Sequence, residues 1–204
     1  MKRIFIIFGV FIVSLLAGCA SAPGSSVVVY DFGLPATRLS DEDRWSRLAL
    51  EVKAPAWFDS LNVDYRLVYE DSLKLRDYSR SRWAANPGVL IAQHLKQQLG
   101  TASINSSLTA DCLLRVELQE FSQVFDSPQQ SRGLLQATVT LSSAKRQLLA
   151  ERQLVVEKPA ASADASGGVK AMVGTASDLG LQLAEWLGAQ EKSGVLKACR
   201  PAKP

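Results

Sequence analysis

Between Leu135 and Leu141 the chain reads Leu-Gln-Ala-Thr-Val-Thr-Leu, with an apolar residue at every second position. A period of two places successive side chains on opposite faces of an extended strand, so one face is dry and the other wet. The pattern belongs to antiparallel sheet with one face open to water, because strands of a buried parallel sheet are apolar on both sides. A fold built around this strand must cover one face of a sheet and leave the other in solvent.

The flanking segments agree. Leu114, Val116 and Leu118 alternate with Arg115, Glu117 and Gln119, and the apolar parity then changes to Phe121 and Phe125. The change predicts a bulge or bend near Gln119-Glu120. Leu148 to Glu157 is predicted to pair back across a turn around Ser142 to Arg146. Upstream, Val27 to Phe32 reads as a strand stopped by Gly33 and Pro35, and Leu48 to Val52 as one closed by Pro55. Tyr65 to Tyr69 and Leu73 to Arg76 suggest a hairpin around Glu70-Asp71-Ser72.

Two helices stand out. Asn86 at the N-cap, Pro87 at the first helical position and Gly100 after the last apolar residue bracket a stripe of Leu90, Ile91, Leu95 and Leu99. After an Ala/Ser/Gly linker at Pro159 to Gly168, a second helix is expected from about Val169 to Leu187. Its stripe is Met172, Val173, Ala176, Leu179, Leu183, Trp186 and Leu187. The class that follows is α+β: a single mixed, mostly antiparallel sheet with two main helices packed on one face. No internal repeat is visible.

The N-terminus follows another logic. Met1-Lys2-Arg3 precedes an apolar run from Ile4 to Leu16, broken only by Gly9 and Ser14. A spanning helix needs about 20 apolar residues, so this run reads as a signal-peptide core. Leu16-Ala17-Gly18-Cys19 resembles the bacterial lipobox, in which the cysteine is lipidated and becomes the first residue of the mature chain. Several acyl chains at about 0.8 kcal/mol per buried methylene would anchor it stably. The expected organisation is a signal peptide at 1–18, a lipidated Cys19 with its tether through 26, and a single domain over 27–204. Losing residues 1–18 removes two of the 23 basic side chains and leaves 21 against 20 acidic ones. That balance gives no nucleic-acid footprint, which needs clustered Lys and Arg.

With Cys19 on lipid, Cys112 and Cys199 remain in an oxidising periplasm. Either they form a disulfide stapling the C-terminal tail to the body, or they are unrelated and one is buried in a strand. Metal binding has no support, for no CxxC or HxxxH spacing exists and the only histidine is His94. A serine triad or His-activated cysteine would have to use that residue, yet no GxSxG, P-loop or GxGxxG is present. No catalytic residue and no cofactor is expected. Asp41-Glu42-Asp43 reads as a solvated turn.

Two aromatic loops are more informative. Ala54-Pro55-Ala56-Trp57-Phe58-Asp59 and Tyr78-Ser79-Arg80-Ser81-Arg82-Trp83 place Trp57, Phe58, Arg82 and Trp83 in connecting segments. Trp and Arg are favoured interface anchors, and a Trp can equally plug a sheet–helix junction. Either role fits these loops.

These blocks also occur in a telling order: the lipobox, Tyr30-Asp31-Phe32-Gly33-Leu34, Leu50-Glu51-Val52-x-x-Pro55 with its Trp57-Phe58, Tyr78-x4-Trp83-Ala84-x-x-Pro87, and Val116-Glu117-Leu118-x2-Phe121. The chain resembles the ABC-type transport auxiliary lipoprotein family. The resemblance implies a non-enzymatic lipoprotein working with MCE-domain proteins and an ABC-type or Pqi-type inner-membrane module that moves phospholipid between two membranes. It also implies a mixed sheet with helices on one face, similar to the N-terminal domain of TolB. Ala20 after Cys19, where an Asp commonly marks inner-membrane retention, implies the periplasmic face of the outer membrane. On this reading Trp57, Phe58, Arg82 and Trp83 are partner contacts. The competing readings are an assembly factor for an outer-membrane β-barrel and an anchored hydrolase.

Overall fold

A computed structural model of the chain describes residues 26–39, 44–45, 47–103 and 111–199. The lipobox, Cys19, most of the tether and Asp41-Glu42-Asp43 lie outside the described residues. Eight strands and two long helices follow in order: β1 (Val28–Tyr30), β2 (Leu48–Lys53), β3 (Asn62–Leu67), β4 (Leu75–Trp83), α1 (Pro87–Leu99), β5 (Ala102–Ser103), β6 (Cys112–Ser127), β7 (Gln130–Ser143), β8 (Leu148–Pro159) and α2 (Ala165–Lys192). A 3₁₀ turn covers Ala56–Phe58 and another Val195–Cys199.

All the strands belong to one mixed sheet. The spine is β6. Along one edge it pairs antiparallel with β7 over nearly its whole length, and β7 pairs antiparallel with β8. Its other edge is shared end to end by two parallel neighbours, β2 against Cys112 to Glu117 and β3 against Gln123 to Phe125. The join coincides with a register shift between Leu118 and Glu120, where the parity change predicts it. β4 pairs antiparallel with β3 and parallel with β1, and β5 lies parallel to β2. The sheet is α+β as expected, with long antiparallel pairs and shorter parallel joins.

Both helices cover the same face, touching each other as well as the sheet. Leu114, Val116 and Leu118 of β6, Leu135 to Leu141 at every second position of β7, and Leu154 and Val156 of β8 are buried beneath them. Against these sit Ile91, Leu95 and Leu99 of α1 and Met172, Ala176, Leu179 and Leu183 of α2. The opposite face carries Arg115, Glu117, Thr138 and Thr140, with Arg115 donating to Glu51 at 2.6 Å across the β2–β6 pair.

Two expectations are corrected. Tyr78 to Trp83 is strand, not loop, because β1 on one side and β3 on the other pair with it. Its side chains are mostly wet, so no apolar alternation marks it, and the β3–β4 register jumps from Asn62 opposite Arg82 to Asp64 opposite Asp77. The supposed linker ends early, since α2 starts at Ala165 with the Asp164 carboxylate accepting from Gly167 N–H at 2.8 Å. As expected, Asn86 occupies the N-cap position of α1, there without a side-chain cap bond, and Gly100 closes the helix in the left-handed conformation at φ 66°.

Candidate interaction surfaces

Trp57 and Phe58 share one 3₁₀ turn, which Pro55 starts after β2. So tight a turn sends neighbouring side chains in different directions. Phe58 enters the core, while Trp57 is 66% exposed. Of this pair only Trp57 is open to a partner.

Arg82 and Trp83 divide similarly at the end of β4. Trp83 is 1% exposed, with its ring 5.4 Å from Phe32 and 5.8 Å from Phe121. Arg82 is half-buried, and its Nη1 donates to the carbonyls of Tyr78 and Ser81, with Asp77 Oδ2 at 3.8 Å. Its guanidinium stitches the irregular stretch of β4 to itself. Phe58 and Trp83 as partner contacts are therefore corrected: both are buried core residues, Phe58 5% and Trp83 1% exposed.

Sequence reasoning missed a charged cluster on β3, β4 and β6. Asp64 faces Asp77 across the β3–β4 pair, and Arg66 bonds Glu120 at 2.9 Å. Burial, then the nearby Asp77 and Glu120 carboxylates, push the Asp64 pKa up to about 6, against the pull of Arg66 and Arg82. Which strands lie side by side is set by the sheet pairing, so charges on three separate segments gave no warning of this convergence. On the helix side, Tyr78 O–H donates to Gln123 Oε1 at 2.8 Å and Gln123 Nε2 donates to Ser131 Oγ at 2.7 Å. Burial raises the Tyr78 pKa, so the phenol stays protonated.

His94 lies on α1 and bonds Ser177 Oγ of α2 through Nε2 at 3.0 Å. The pair looks like half a triad, and its bonding argues otherwise. The Ser177 hydroxyl donates to Val173 C=O at 3.3 Å, so it accepts the Nε2 proton rather than giving one up. Nδ1 has no partner to orient the ring, whereas a nucleophile–base pair needs that third group. Burial lowers the His94 pKa and keeps the imidazole neutral. His94 and Ser177 form a strut between two helices.

Cys112, at the start of β6, is joined to Cys199 at the end of the last 3₁₀ turn, with Cα atoms 5.1 Å apart. Among the described residues no group of three or more His, Cys, Asp or Glu is placed to hold a metal ion, and no helix is long and apolar enough to cross a membrane.

A family model described as the ABC-type transport auxiliary lipoprotein component matches residues 30–184, from the end of β1 through most of α2. Among solved structures, protein XCC0632 from Xanthomonas campestris superposes with a TM-score of 0.64 at 17% identity, covering 81% of this chain and 99% of that one. A second crystal structure, of an uncharacterized protein, superposes with a TM-score of 0.61 at 16% identity over 79% of this chain and 99% of its own. No curated protein matches the sequence.

Proposed function

Because the chain belongs to the ABC-type transport auxiliary lipoprotein family, we propose that it is a non-enzymatic lipoprotein, held to the periplasmic face of the outer membrane through Cys19, that docks an MCE-type lipid transport assembly. The family match across residues 30–184 carries this reading, since it takes in β2 to β8, all of α1 and most of α2 rather than one motif. The strut bonding of His94 and Ser177 supports a role without catalysis. Trp57, exposed on a turn fixed by Pro55 and by the buried Phe58, supports docking: a large aromatic held at low entropic cost is the kind of side chain that anchors interfaces. Phospholipid handed across the periplasm is the cargo this reading entails.

The test is affinity capture of the full chain from membranes. MCE-domain and inner-membrane transporter components should be recovered with wild type, and Trp57→Ala should reduce recovery without loss of fold. Cys19→Ser should release the protein from the outer-membrane fraction. Recovery of an outer-membrane β-barrel and its assembly machinery, with no transporter component, would replace the reading with the assembly-factor one.

A further inference from the structure

The two ends of the sheet are treated differently. Edge strand β8 carries Glu151, Arg152, Glu157 and Lys158 and finishes on Pro159. Charges and proline are what keep an edge from pairing with foreign strands. β1, at the other end, has β4 as its strand neighbour and reads Val28-Val29-Tyr30 directly after Val27. Val27, Val28 and Val29 are 52%, 47% and 62% exposed, so consecutive β-branched residues stand open on both faces with no charge among them. Tyr30 turns its carbonyl to Ala84 N–H at 2.7 Å on the β4 side. By the alternation of an extended strand, the N–H and C=O of Val29 then point away from β4, to an edge that no strand pairs among the described residues.

Directly beyond β1, Phe32 and Leu34 form one wall of a cleft of about 390 Å³, with Ala84, Ala85, Leu90 and His94 opposite. Leu34 is 86% exposed at its side. His94 is 3% exposed, and since its Nε2 proton goes to Ser177, Nδ1 is a bare acceptor with nothing bonded to it. A buried acceptor left unmet is costly. The carboxylate in the lining, Asp31, already accepts from Gly33 N–H at 3.0 Å.

We propose that the free edge of β1 and this cleft form a strand-addition site for an extended, uncharged segment of a partner protein. The segment pairs with the backbone of Val29 and seats an apolar side chain between Phe32, Leu34 and Leu90. Main-chain bonds supply affinity in such sites and side-chain pockets supply selectivity. An anionic segment is disfavoured by the Asp31 carboxylate in the lining, and an uncharged one suits the apolar walls of the cleft. A single-chain amphiphile could fill the cleft and would leave the Val29 backbone unused. The inference rests on the chain being a partner-binding module, but its test uses no transporter component, so the two can fail separately.

The probe is a displayed library of random octapeptides selected on the immobilised full chain. Enriched sequences should be uncharged and rich in Val, Ile and Thr. Affinity of the best synthetic peptide should fall by about tenfold or more on Val29→Pro, which removes the outward N–H at a position where an edge strand tolerates proline. It should fall likewise on Leu34→Asp, which tests the cleft in a chain whose strand is untouched and stands alone if Val29→Pro does not fold. No enrichment overturns the proposal. So do peptides indifferent to both changes, or a cleft that takes dodecanoate while the library returns nothing.

Discussion

At the scale of single residues, neighbours in sequence hold opposite roles. Trp83→Ala should cost about 3–5 kcal/mol, the range for deleting a buried large aromatic, because Phe32 and Phe121 lose their packing partner. Trp57→Ala should stay within about 0.5 kcal/mol, as surface changes away from special features do. Urea melts of the two variants side by side check the division, and a destabilised Trp57→Ala would show the turn to be structural. Asp64 adds a pH dependence of defined sign. Its pKa is raised in the fold to about 6, so between the unfolded value near 4 and that value the native state holds more protons. Stability therefore falls as pH rises through this window, and the ionised carboxylate is a liability above it. Partial exposure screens the effect to about 1 kcal/mol. Asp64→Asn should flatten the dependence between pH 4 and 6 and stabilise the protein at pH 7, as read by urea midpoints across that range.

At the scale of elements, glycines record where helix and sheet approach. A Cβ on Gly133 of β7 would stand 2.6 Å from the backbone nitrogen of Met172 on α2, whereas one on Gly180 would meet the amide end of the Gln98 side chain. Backbone cannot step aside and a side-chain tip can. Gly133→Ala should therefore cost about 2–3 kcal/mol and clearly more than Gly180→Ala, in thermal or urea melts of the two variants. A reversed order would mean that α2 slides easily over β7. Elements of this kind were legible in proportion to their apolar rhythm. The seam of Leu135 to Leu141, the parity change at Gln119-Glu120 and the stripes of both helices announced themselves, because burial on one face leaves a period in the sequence. Of β4 only the start did, as the second arm of the hairpin around Glu70-Asp71-Ser72; from Tyr78 to Trp83 its side chains are mostly wet and its partners are chosen by backbone pairing. The start of α2 was hidden because Gly167 and Gly168 read as linker, when their purpose is to let the helix pass Ser162 and Gln123. Of the candidate contacts, composition flagged the right loops, but which member of each pair turns inward is decided by a 3₁₀ turn and a strand end that no pattern encodes.

At the scale of the whole molecule, the body is a sheet organised on β6 and tied at its start to the chain's last turn. Removing the Cys112–Cys199 bridge should lower stability by about 2–5 kcal/mol, as measured by denaturation of Cys199→Ser against wild type. No change would mean that the final turn docks unaided through Val195 and Leu196, which pack against the core. Between the two cysteines lie β6, β7, β8 and α2. Covalently, then, the bridge closes residues 112–199 into a ring, with β1 to β5 and α1 strung along the arm that precedes it. A protease that nicks the β7–β8 turn opens the ring, but the Cys112–Cys199 bond still joins both pieces until a reductant arrives. A nick in the β3–β4 turn has no such safeguard. Damage between Cys112 and Cys199 leaves one covalent molecule, and damage before Cys112 leaves the ring held to the severed arm by noncovalent contacts alone.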